Sequence, residues 1–104
     1  MQTHDDELHI GSDFERVYVM TNALDLTGAK AVMKIRSLND VELVHADCTV
    51  EEGQIRCRIS GEVSKNMPRT YTKGLYDVFL VKQGSYSLKI IMGMMTIVPD
   101  ESLH

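Results

Sequence analysis

The sequence has no tryptophan, and two Phe and four Tyr supply all the aromatic rings of its 104 residues. Sugar-binding modules present exposed aromatic rings, so this shortage counts against a free-standing carbohydrate-binding module. No apolar run reaches the roughly 20 residues that a bilayer-crossing helix needs. The best stretch, Leu88 to Val98, is interrupted by Lys89, Gly93 and Thr96, so no membrane partner is expected. The first residues, "MQTHDDELHIGSD", lack the basic start and apolar stretch of a secretion signal, which predicts folding in a reducing cytoplasm. Clustered cations are missing too. The 11 Lys and Arg are scattered through a chain of net charge −4 and pI near 5.5, so no nucleic-acid footprint is expected. Neither a Ser/His/Asp arrangement nor a Gly-rich phosphate loop ahead of a helix is visible, so the sequence predicts no enzyme, no catalytic residue and no cofactor.

What the chain does have is strand pattern. Its length suits one domain, and 43% hydrophobic with 25% charged residues is ordinary for a folded protein. "FERVYVM", residues 14 to 20, is rich in β-branched and aromatic residues. In "KAVMKIR" Ala31, Met33 and Ile35 alternate with Lys30, Val32, Lys34 and Arg36, the period of a strand with one wet face, and Gly28 before it supplies a tight turn. A helix over 29 to 36 is the weaker alternative, since Ala, Met and Lys also favour helices.

Asn39-Asp40 marks a turn into a strand where Val41, Leu43 and His45 alternate with Glu42, Val44 and Ala46. A two-residue loop at Glu52-Gly53 would then pair Val50 with Ile55 and Cys48 with Cys57, placing the apolar members and Ile59 on one face. After Gly61 the pattern lapses into a loop with one helical turn before Pro68. "GLYDVFLV" has two largely apolar faces, which predicts a central or covered strand. Gln83-Gly84-Ser85 turns into "YSLKIIM", and Gly93 marks either a bulge or a crossing between sheets. Together these predict an all-β fold, an antiparallel sandwich of about seven strands over 14–99, with a polar arm at 1–13 and a tail at 100–104.

The proposed register brings Cys48 and Cys57 within bonding range, yet in a reducing compartment two buried thiols are the simpler reading and a bridge the alternative. Their spacing matches no zinc signature. His4, Asp5, Asp6, Glu7, His9 and Asp13 form the densest group of possible metal ligands, but no rigid element is visible to hold them, so a solvated acidic arm is expected and no metal. His45 reads as a packed or surface histidine and Asp77 as a strand-surface carboxylate. Seven methionines are present, and Met92, Met94 and Met95 gather near the end of the pattern. Core packing explains them, with an adaptable contact surface as the alternative.

The order Asp25-Leu26-Thr27-Gly28-Ala29, Met33-Lys34-Ile35-Arg36, Gly53-Gln54-Ile55, Gly74-Leu75-Tyr76-Asp77-Val78 and Ile91-Met92-Gly93-Met94-Met95-Thr96-Ile97, followed by Pro99, resembles the amino-terminal domain of baseplate upper proteins of tailed bacteriophages and related short phage proteins. The resemblance covers roughly 13 to 99. It implies an immunoglobulin-like sandwich that attaches a receptor-binding or fibre component to the virion, and it brings no catalytic residues. The chain stops at His104, without the long helices or second domain of the baseplate members, so a tail adaptor and a capsid decoration protein both fit.

The expected partners are other phage structural proteins and further copies of this chain, in the virion after assembly in the host cytoplasm. Edge strands and the two arms would make the contacts. The expected contact residues are Leu8 and Ile10 in the first arm, Ile91, Met94, Met95 and Ile97 near the end of the pattern, and Leu103 in the tail. An arm of this kind would be mobile until a partner orders it, so its removal should leave the sandwich's stability unchanged.

Overall fold

The computed structural model describes residues 2–20, 26–68 and 70–99. Eight strands and one short helix follow in order: β1 (Gln2–Thr3), β2 (Asp6–His9), β3 (Phe14–Val19), β4 (Lys30–Arg36), β5 (Glu42–Glu51), β6 (Gln54–Ile59), α1 (Gly61–Lys65), β7 (Lys73–Lys82) and β8 (Tyr86–Val98). They form an antiparallel sandwich with one parallel edge. One sheet runs from β1 and β2 through β8, β7 and β4 to the first half of β5; the other runs from the second half of β5 through β6 to β3.

Local chemistry accounts for most elements. Met33 and Ile35 are fully buried while Lys30 and Val32 are exposed, so the period-two pattern of β4 sets its inner face and the helix alternative fails. Gly28 takes φ 76° and Gly53 φ 71°, which only a residue without Cβ adopts cheaply. Glu52-Gly53 is the two-residue loop, with Glu51 opposite Gln54, Val50 opposite Ile55 and Cys48 opposite Cys57. The predicted helical turn is α1, capped by Ser60, whose Oγ accepts from the Val63 N–H at 3.3 Å.

Tyr76, Val78 and Leu80 of β7 face the core, and β7 is central, between β4 and β8. Val44 and Ala46 are the buried set of β5, while His45 is exposed. β5 is a single strand that changes sheets: its last partner on β4 pairs Met33 with Ala46, and Asp47 already faces Arg58 of β6.

The amino-terminal segment departs from expectation. Instead of a solvated arm, β1 and β2 pair parallel with β8, setting Gln2 opposite Ile91 and Leu8 opposite Ile97. Leu8 is fully buried and Ile10 nearly so, at 2% exposure, both within the main core. A polar segment can do this because its few apolar residues alternate at strand period while its backbone groups bond to β8, as in Ile10 N–H to Val98 C=O at 2.9 Å. The sandwich therefore begins near residue 2, not 14. The tail at 100–104, with Leu103, lies outside the described residues.

Gly93 is neither a bulge nor a crossing. β8 runs straight through it, and the reason for glycine is close approach: a Cβ there would collide with the His4 carbonyl, which also accepts the Tyr76 hydroxyl. The actual bulge lies three residues earlier, where Val78 faces Ile91 and Phe79 faces Lys89, leaving Ile90 as the extra residue.

Candidate interaction face

Odd-numbered residues of β7 point away from the core, and their neighbours on β4 and β8 form one broad outer face. Across it Val32 stands opposite Phe79, Leu75 opposite Met94, and Asp77 opposite both Lys34 and Met92. Leu75, Val32, Val81 and Met94 are exposed, so two apolar patches, Val32 with Phe79 and Val81, and Leu75 with Met94, stay in solvent on this side of the sheet.

Charges are interleaved with these patches, and the Lys34–Asp77 row separates them. Lys30, Lys34 and Arg36 come from β4, Lys73 from β7 and Lys89 from β8, set against Asp77 and Glu42. Asp77, with its side chain only 16% exposed, lies 3.9 Å from Arg36 and 4.0 Å from Lys89, and Lys89 also sits 5.4 Å from the centroid of the Phe79 ring. Arg36 reaches Asp40 at 3.8 Å as well. At the Arg36 end the face dips into a depression of about 350 Å³, lined by Ser37, Leu38, Asp40, Met92 and Gly93 among others. In a chain of net charge −4, a face so rich in cations is an asymmetry of charge.

The contact residues expected from sequence divide sharply. Leu8, Ile10, Ile91, Met95 and Ile97 are core residues, since 91, 93, 95 and 97 share the inner side of β8 and β2 packs beside them. Among the described ones Met94 alone stands on the outer face, with Met92 as its half-buried neighbour. Val32, Leu75 and Phe79 were missed as contact candidates. The second apolar face of "GLYDVFLV" was the signal for Leu75 and Phe79, and Val32 on the wet side of "KAVMKIR" was the signal for the third.

The acidic group at the amino terminus is organised, but as structure. Asp6 receives two bonds of 2.8 Å from Arg16, and the Asp5 carboxylate accepts the Met94 N–H at 3.0 Å. Asp13 accepts the Gly61 N–H at 2.7 Å, which holds its carboxyl below the usual range against the opposing effect of desolvation, with Arg58 helping to lower it. Among the described residues no group of three His, Cys, Asp or Glu side chains is arranged to hold a metal ion. Asp77 is a carboxylate on the outer surface of its strand, ion-paired within the cationic face, and His45 lies 3.5 Å from Glu42 at the surface.

No family model matches the chain, and no curated protein matches it. Solved structures do. The M1 domain from titin superposes with a TM-score of 0.51 at 10% identity, covering 96% of this chain and 92% of that one. The extracellular domain of the voltage-gated sodium channel β4 subunit gives 0.49 at 13% identity over 96% and 94%. CopC from Methylosinus trichosporium OB3b gives 0.49 at 8% identity over 92% and 87%. The fold is an immunoglobulin-like sandwich, as the resemblance implied.

Proposed function

We propose that this chain is a non-enzymatic attachment module of a tailed-bacteriophage particle, a tail, baseplate or capsid adaptor that works through protein–protein contacts. The observation that carries the contact is the outer face of β4, β7 and β8, where exposed apolar side chains are interleaved with Lys30, Lys34, Arg36, Lys73 and Lys89. Exposed apolar side chains on a folded surface suit a protein contact, and the surplus of cations among them favours an acidic partner surface. The ordered sequence signals that resemble phage baseplate domains supply the kind of particle.

The same face argues against the sugar-binding alternative. All six aromatic rings are buried or half-buried, and Phe79, the one on this face, lies under Lys89. A flat exposed platform for a sugar ring is not offered.

Mass spectrometry of purified particles of the phage encoding this chain tests the reading. The chain is expected at a fixed copy number per particle. Its absence from particles, together with binding of the isolated protein on a glycan array, would replace this reading with the sugar-binding one.

A further inference from the structure

Cys48 of β5 and Cys57 of β6 stand directly opposite one another, with their Sγ atoms 3.2 Å apart. Glu51 and Gln54 close the two-residue loop as a hydrogen-bonded pair, so alternation along the ladder makes Cys48–Cys57 a non-hydrogen-bonded pair. Such pairs hold their Cα atoms about 4.5 Å apart, at the short end of the range a disulfide spans. Bringing the sulfurs to a bond of about 2.05 Å takes small side-chain rotations and no change of register.

The two thiols are unequal. Cys48 is half-buried at the point where β5 parts from β4, whereas Cys57 has no exposure and lies among the core residues of β6. Hydrogen bonding with Cys57 lowers the Cys48 thiol below its ordinary value, against the opposing effect of burial, and the Met33 backbone assists. The same contact, with burial added, pushes Cys57 up. One sulfur is reachable and poised to ionise, and the other waits beside it.

We propose that Cys48 and Cys57 form a thiol–disulfide exchange site that takes a small non-protein disulfide of the glutathione type and closes into a cross-strand bridge between β5 and β6. The Cys48 thiolate attacks one sulfur of the small disulfide, forming a mixed disulfide and expelling one small thiolate. Cys57 then loses its proton to that thiolate and attacks the Cys48 sulfur, and the second small thiolate leaves. Two protein thiols are oxidised, one small disulfide is reduced to two thiols, and the Cys48 and Cys57 protons end on those thiols. This chemistry is independent of the attachment reading, because it needs only the folded hairpin.

Incubating the folded protein with oxidised glutathione, then alkylating and weighing it intact, tests the site. The expected product has lost two hydrogen atoms, takes up no alkyl group until reduced, and melts at least about 4 °C higher than the dithiol form. Cys57→Ala should instead accumulate a stable glutathione adduct at Cys48. Cys48→Ala, confirmed as folded by circular dichroism, should stay unmodified. Wild-type protein that retains both thiols, or that stops at a glutathione adduct without bridging, would overturn the proposal.

Discussion

Asp6 on β2 and Arg16 on β3 face each other as a two-pronged ion pair, with Nε to Oδ2 and Nη2 to Oδ1 both at 2.8 Å. These strands lie at the outer edges of the two sheets, so the pair ties them together where the sandwich is open. Arg16 also lies 4.4 Å from the centroid of the Phe14 ring, which helps fix its inward direction. An inward-turned charge on an edge strand discourages another chain from adding to it.

Burial alone would raise the Asp6 carboxyl, and the bonds from Arg16 and from the Glu7 N–H, helped by the Arg16 charge, outweigh it and lower the pKa below the ordinary 3.8. A depressed folded pKa stabilises the fold above 3.8, and that contribution is lost as pH falls through the folded value. Asp6→Asn should cost about 1 kcal/mol at pH 7, discounted for the partly exposed guanidinium, and should flatten the loss of stability below pH 3.8. Urea melts of both proteins from pH 7 down to pH 3 check this; equal slopes in acid would show that the pair contributes nothing.

Because Leu8 and Ile10 belong to the core, the amino-terminal segment is part of the folding unit. Leu8→Ala should destabilise by about 2–5 kcal/mol, as for other buried leucines. Deleting residues 1–12 should lower the melting temperature markedly. A truncated protein that melts like the full chain would restore the picture of a passive arm.

On the β5–β6 hairpin Ile55 is fully buried, while the neighbouring Arg56 lies on the outer side, bonded to Glu15 at 2.5 Å and Glu51 at 3.3 Å. Ile55→Ala should cost about 2–4 kcal/mol in chemical denaturation, and Arg56→Ala should cost much less. Similar losses at both positions would place the register or the face elsewhere.

Two tyrosines facing the core should respond oppositely to loss of their hydroxyls. The Tyr18 hydroxyl is buried without a hydrogen-bond partner among the described residues, and burial raises its pKa; the Tyr76 hydroxyl, pushed up to about 12 chiefly by burial, donates to the His4 carbonyl. Tyr18→Phe should therefore be neutral or stabilising, and Tyr76→Phe should cost about 1 kcal/mol, both read from thermal melts. Loss of stability in Tyr18→Phe would reveal a partner for that hydroxyl.

Short-range pattern carried much of this fold. Met33 and Ile35, the Glu52-Gly53 loop and the Tyr76-Val78-Leu80 face are each specified by neighbours two residues apart, so sequence alone places them. The parallel pairing of β2 with β8 joins residues nearly the whole chain apart, and its local trace is only Leu8 and Ile10 flanking His9 in an acidic stretch. The change of sheets within β5 leaves no break in its alternation at Ala46-Asp47, so nothing local announces it. Gly93 drew attention to itself, yet its cause is the distant His4 carbonyl, while the bulge at Ile90 was marked only by the doubled Ile90-Ile91. The contact face was hidden for a similar reason: its apolar members come from three strands, and β4 and β7, neighbours in the sheet, are separated in the chain by β5, β6 and α1.

The central claim is that the outer face of β4, β7 and β8 attaches this chain to a phage particle. Its most direct test is the occupancy of a double variant, Lys30→Glu with Leu75→Glu, in purified particles, measured by quantitative mass spectrometry against wild type. Both side chains lie on the outer face and outside the core, so the variant should melt close to wild type. Occupancy should fall at least tenfold, about 1.4 kcal/mol of lost attachment or more. Full occupancy of the folded variant would contradict the claim.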